Sequence, residues 1–160
     1  MAEIDIPTFW SAIGARATGA TIVTAEADRG PAGLVALSAT HFSAAPPLVT
    51  VAVGAGTAAL QDILASRAFA VNFLSTEGRA IYDRFAAKDA PKGAERFAGL
   101  DFAPLRTGAP VFAAVTGALD CELEEVVERA GTSLIFGRIV EIVRHREARP
   151  LIHFGGRLLD

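Results

Sequence analysis

Cysteine occurs once in the 160 residues, at Cys121. No intramolecular disulfide can staple such a chain, and a reducing compartment, the cytoplasm, is the expected setting. Histidine occurs only as His41, His145 and His153. None of these pairs has the short spacing of a metal-binding helix or knuckle, so no metal centre is expected. Basic residues are not in excess: 15 Lys and Arg stand against 18 Asp and Glu, for a net charge of −3 and a pI near 5.6. That balance argues against a phosphate-backbone footprint, and nucleic acid is not an expected partner. No apolar run reaches the ~18 residues of a membrane span. The opening Met1-Ala2-Glu3-Ile4-Asp5 carries acid where a signal peptide carries base. No membrane association is expected.

What is present is 51% hydrophobic and 21% charged, an ordinary globular balance. The length suits one domain over residues 1–160, burying roughly 70% of the surface it would expose unfolded. Pro7 to Arg16 reads as a short helix, with Ile6, Phe9, Trp10 and Ile13 at helical spacing. The β-branched run from Ala20 to Ala25 reads as a strand. A turn at Asp28-Arg29-Gly30-Pro31 and a returning strand from Gly33 to Ser43 make a hairpin. Leu48 to Val53 is a buried-looking strand, Ala58 to Ala65 a helix, and Phe69 to Leu74 another strand. Ser75 is placed to cap a helix through Ala87. Residues 88–110 are punctuated by proline and glycine, and so long a loop is expected to be functional or mobile. Three closing strands follow, Ala114–Val127, Ser133–Arg146 and Leu151–Leu158, the first two joined at Ala130-Gly131-Thr132. With no helices between these last strands, a closed, mostly antiparallel barrel with peripheral helices is favoured over a doubly wound sheet.

The most conspicuous motif points the other way. Gly54-Ala55-Gly56-Thr57-Ala58-Ala59 follows a strand, opens a helix and satisfies G-x-G-x-x-A. A Rossmann-type NAD-binding unit begins like this, but it needs further βα units that the last third of the chain does not supply. Two physical readings of the turn stay open. It is a tight turn with Thr57 as N-cap, or it is an anion pocket of bare backbone N–H groups suited to a phosphate.

The segment from Gly33 to Leu48 interrupts a strand with small and hydroxyl residues. Small side chains let a planar ligand lie against backbone, and hydroxyls can bond ribityl or phosphate oxygens. Its spacing resembles G-M-T-A-S-S-F-T-S-V-S-x-x-P-P-L at Gly33, Ala36, Ser38, Thr40, Ser43, Pro46 and Pro47. Ala17 to Thr24 resembles P-T-G-V-T-V-V-T, and Phe69 to Leu74 resembles F-A-V-N-V-L. Phe85-Ala86 and Arg96-Phe97 match the F-A and R-F that follow. Ala118 to Cys121, Gly131 to Ile139 and Pro150 to Phe154 resemble A-x-x-x-C, G-[DT]-H-x-[IL]-x-x-G-x-V and P-L-x-Y-F. In order and spacing these pieces resemble the flavin reductase-like family, over about Phe9 to Leu159.

The resemblance implies a mainly β fold, a split β-barrel, mostly antiparallel with Greek-key character and with peripheral helices. It implies an NAD(P)H:flavin oxidoreductase that reduces FMN or FAD with NADH or NADPH. Such enzymes commonly feed a partner flavin-dependent monooxygenase, and a homodimer is expected because a small barrel needs a partner to wall off the ring. Val35, Ala36, Leu37, Ser38 and Ser43 would lie along the flavin, and Gly54, Ala55, Gly56 and Thr57 would hold its phosphate. Phe85, Ser133 and His153 would surround the ring or the nicotinamide pocket, and no acid–base residue is required, since the two rings exchange the hydride. The chain departs from the family where Asn-Arg/Lys-Ser-Ser-x-Thr becomes Gly54 to Ala59, where Ser133 replaces histidine and where His153 replaces tyrosine. These departures motivate an alternative, a flavin-binding electron-transfer protein without reductase turnover. Outside the motifs, His41 reads as structural and His145 as solvated. Cys121 reads as inert core, Glu122 to Glu128 as a solvated strand edge, and Arg157 as a surface residue.

Overall fold

The computed structural model describes residues 3–159. Its first helix, α1 (Ile6–Gly14), starts where Asp5 accepts the Thr8 N–H at 2.8 Å and Pro7 occupies the first turn. A two-residue strand β1 (Thr18–Gly19) follows, then β2 (Thr21–Ala27) and β3 (Gly30–Val35), a hairpin closed at Asp28-Arg29. Next come β4 (Thr40–Ala44), β5 (Pro47–Gly54), α2 (Ala58–Ser66), β6 (Ala68–Leu74) and α3 (Arg79–Ala86). Two short strands, β7 (Phe102–Pro104) and β8 (Pro110–Phe112), precede the long hairpin of β9 (Val115–Arg129) and β10 (Thr132–Arg144). Ala130 and Gly131 both take positive φ between them, the geometry of a two-residue hairpin turn. β11 (Ile152–Phe154) and β12 (Arg157–Leu159) end the chain.

Seven strands form one antiparallel sheet in the order β3-β2-β6-β9-β10-β5-β4. Its two edges, β3 and β4, are consecutive in the chain and joined only by residues 36–39. That link is stitched on both sides. The Ala36 N–H donates to Thr21 O at 3.0 Å, and the Ser38 hydroxyl donates to Ala52 O at 2.9 Å while accepting from Ala52 N at 3.1 Å. The mainly β, antiparallel architecture agrees with expectation; the closed barrel does not. No ladder joins the edges among the described residues, and side-chain and backbone stitches hold the seam instead.

Other expectations change with it. Gly33 to Ser43 is not one strand, because the seam divides it into β3 and β4. Leu151 to Leu158 is two strands turning at Gly155-Gly156, both at positive φ. Ser75 does not cap α3, which begins at Arg79; it bridges to Pro150 and precedes a 3-10 turn over Thr76–Gly78 without a side-chain cap bond. The acidic run lies on β9 where its pairing with β6 ends at Glu122; Glu124, Glu125 and Glu128 are exposed on the stretch paired only with β10, and Arg138 bridges Glu122 and Glu124.

Two large apolar clusters carry most of the packing, beside a small one of Ala70, Ala109, Val111 and Ala118. Inside the curled sheet lie Val23, Val49, Val51, Val53, Phe69, Cys121 and Ile135, with Leu60 and Ile63 of α2. Burial pushes the Cys121 thiol up to about 12, with the nearby Asp120 carboxylate adding to the shift, so no thiolate forms near neutrality. The second cluster joins Phe85 of α3 to Phe97 and Phe112, with Phe102 packed against it. Gly33 makes this possible, since a Cβ there would stand 2.9 Å from the Phe85 ring. The loop over residues 88–110 is therefore anchored through Phe97, and Arg84 donates to the Arg96 and Ala98 carbonyls. Between the clusters, the buried Asn72 amide donates to Ile22 O and Thr24 Oγ1 and accepts the Phe112 N–H at 2.9 Å. That set of bonds ties β8 to the sheet. Among the described residues no helix is long and apolar enough to cross a membrane.

Candidate functional site

A cavity of about 820 Å³ opens beside the seam, within the range of small-molecule and cofactor sites. Three walls enclose it. Val35, Ala36, Leu37 and Ser38 form the first, continued by Ala52 and Gly54 of β5 and Thr132 of β10. The register explains this side. Thr132 pairs with Gly54 and Leu134 with Ala52, so these residues share one face of the sheet, while Ser133, Val53, Ile135 and Val51 share the other. The second wall is α1 and the segment after it, through Phe9, Trp10, Ile13, Arg16 and Thr18. His153 and Gly156 form the third. His153 is held there because β11 pairs with β1, setting it opposite Thr18, with the Tyr82 ring 6.3 Å away.

The lining combines aromatic surface with a few polar groups. Thr18 Oγ1 is buried without a hydrogen-bond partner. An unmatched buried hydroxyl costs about 1–3 kcal/mol. The Ser38 hydroxyl is different, since both its donor and its acceptor hold Ala52. Ser38 therefore shapes the wall.

Several residues singled out in the sequence lie elsewhere. Of the turn, Gly54 alone lines the cavity. The Ala55 amide donates to Gly131 O at 2.9 Å and the Thr57 amide to Gly54 O, while Thr57 Oγ1 caps Leu60 N. The Thr57-capped turn is thus realised, and α2 keeps only the amides of Ala58 and Ala59 without intrahelical acceptors. Phe85 is 5% exposed in the aromatic cluster and lines no part of the cavity. Ser133 is corrected by register: it faces the interior, fully buried and with its hydroxyl unpaired, while Thr132 takes the cavity face. Ser43 sits on β4, where its hydroxyl accepts the Ala45 N–H, and it too lies outside the lining. Val35, Ala36, Leu37, Ser38, Gly54 and His153 are brought together.

This arrangement belongs to a known class of protein. The model of the flavin reductase like domain matches residues 13–159. The chain belongs to the flavin reductase like family. Among this family's members, the reductase subunit HsaB of a flavin-dependent monooxygenase from Rhodococcus jostii is 32% identical over 154 residues, covering 96% of this chain and 77% of the relative. The FMN reductase (NADH) RutF of Bradyrhizobium diazoefficiens is 28% identical over 155 residues, covering 97% and 85%. The NADH:FAD oxidoreductase of Streptomyces globisporus, solved in complex with NAD and FAD fragments, superposes with a TM-score of 0.87 at 25% identity, covering 100% of this chain and 96% of that one.

Against this flavin reductase like frame, the residues that sequence reasoning missed are instructive. Phe9, Trp10 and Ile13 were read only as residues at helical spacing, and the structure sets them in the cavity wall on a helix that buries none of its residues. Thr132 was obscured by a one-residue ambiguity of register, which in a strand exchanges the two faces.

Proposed function

We propose that this chain is an NAD(P)H-dependent flavin reductase that supplies reduced flavin to a partner monooxygenase. The observation that carries the reading is the cavity at the seam, where small residues expose backbone to a space bounded by Phe9 and Trp10. A flavin, when bound, supplies a ring that accepts hydride from a nicotinamide. The protein's part is to hold the two rings together and exclude water. Ala36, Ala52 and Gly54 leave room for a flat ring system to lie against the sheet, and Trp10 and Phe9 offer stacking surface from the other side. His153 and Thr132 stand at the rim as hydrogen-bonding groups for the nicotinamide side. The printed activities of the relatives, FMN reduction by NADH and FAD reduction by NADH, support NADH as donor and either flavin as acceptor.

The assay follows absorbance at the nicotinamide band with FMN, FAD, NADH and NADPH in all pairings. Expected is flavin-dependent oxidation of NADH, with quenching of the sole tryptophan, Trp10, as flavin binds. If flavin binds but no pairing oxidises the nicotinamide, the electron-transfer alternative replaces this reading.

The proposal extends to a homodimer. Ile6, Phe9, Trp10 and Ile13 are 73%, 48%, 63% and 48% exposed on one short helix. An apolar helix face left in water favours association, and a second copy covering it would also close the α1 wall. Sedimentation at micromolar concentration should give twice the 16.7 kDa of one chain. A single-chain mass at every concentration would remove this part of the proposal.

A further inference from the structure

We infer that Arg16 and Thr18 form a phosphate-binding subsite of the cavity, engaging a phosphate ester of the nucleotide that enters it. This rests on the flavin reductase reading above. The turn from Gly54 to Thr57 carries no cation, and two of its four amides are already engaged within the protein. An anionic ligand in this cavity therefore needs its countercharge from another element.

Among the described residues, Arg16 is the only Lys, Arg, Asp or Glu lining the cavity. Its side chain has no ion pair or hydrogen bond among the described residues. It also lines a smaller adjoining cavity of about 220 Å³, and Thr18 and Leu37 are common to both. Arg16 thus stands where the two spaces meet. Thr18, two residues on, contributes the second observation, a buried Oγ1 with no partner. A guanidinium offers a fork of N–H donors matched to phosphate oxygens, and the unpaired Thr18 hydroxyl adds one donor more once its side chain rotates toward the cavity. Arg16 is exposed, as suits a group that must admit and release its ligand. The phosphate can come from the flavin or from the nicotinamide dinucleotide; the same chemistry serves both.

The full-length chain is tested as Arg16→Ala, Arg16→Lys and Thr18→Val. Flavin quenching gives affinities for FMN and for riboflavin, which shares the ring and lacks the phosphate. Steady-state rates give KM for NADH. The expected result takes one of two forms. In the first, Arg16→Ala lowers the preference for FMN over riboflavin by roughly tenfold, with riboflavin affinity unchanged, which assigns the flavin phosphate. In the second, the preference holds and KM for NADH rises by roughly the same factor, which assigns the dinucleotide. In either form Arg16→Lys restores part of the loss and Thr18→Val shows a smaller loss in the same measurement. The inference is overturned if neither quantity moves, or if riboflavin binding weakens as much as FMN binding, since a phosphate contact cannot act on riboflavin. Failure of the unaltered chain to bind either flavin would instead overturn the flavin reading itself.

Discussion

Replacing Ala52 by tryptophan is expected to abolish flavin binding while leaving the fold intact. Ala52 faces the cavity beside Ser38, and an indole there would occupy the space a planar ring needs against the sheet. The affinity for FMN should fall at least a hundredfold, about 2.8 kcal/mol. Flavin-dependent NADH oxidation should fall with it. The fold should survive, because the Ser38 stitches engage only the Ala52 backbone and the side chain lies on the face opposite the buried Val51 and Val53. Thermal unfolding within a few degrees of the parent separates loss of the site from loss of the protein. Unchanged FMN affinity in a folded Ala52→Trp variant would put the flavin somewhere other than this cavity.

Gly137→Ala is expected to cost more stability than any surface change, although it adds a single methyl group. Gly137 lies on β10 beside an irregularity in its pairing with β9. A Cβ there would overlap the edge of the Phe69 ring, standing 2.8 Å from Cε1, and would come within 2.9 Å of the Cys121 Cβ. Neither neighbour can yield easily, since Phe69 and Cys121 are both 0% exposed. Overpacking of this kind costs about 1–3 kcal/mol, a large share of a typical stability of about 5–15 kcal/mol. Denaturant unfolding measures it. The double variant with Phe69→Leu should lose less than the sum of the two single changes, because shortening the ring frees the space that the new methyl needs. Strict additivity would mean that Gly137 and Phe69 do not compete for that space.

Much of this fold was legible residue by residue. The Thr21 to Thr24 run, the hairpin turn at Ala130-Gly131 and the α2 cap at Thr57 are local signals, and local physics fixed them. The site was legible in part. Ala36, Leu37 and Ser38 were singled out by the family resemblance of the Gly33 to Leu48 segment, and they line the cavity. What escaped was whatever depends on distant segments meeting. Phe85 looked available until Phe97 and Phe112, from a loop and a short strand later in the chain, closed around it. Ser133 and Thr132 differ by one step of a strand, and nothing short of the β5 register says which one faces the cavity. The contribution of α1 was hidden because helical spacing alone does not say what an apolar face meets. Here it forms one wall of an open space.

The seam has a consequence for how the site and the fold depend on each other. Ala36 and Ser38 hold together sheet edges that no ladder joins, and the same short link forms one wall of the cavity. Residues 36–39 therefore act as a clasp whose fastening is shared between the protein and its occupant. Local opening of the clasp dissolves the wall, and an occupant bound only to the closed form raises the free energy of that opening by mass action. The amides of Ala36 and Ala52, whose bonds make the stitches, should exchange with solvent more slowly as the cavity fills, while those of the central strands stay as they were. A protein built this way is loosest, when empty, where it binds.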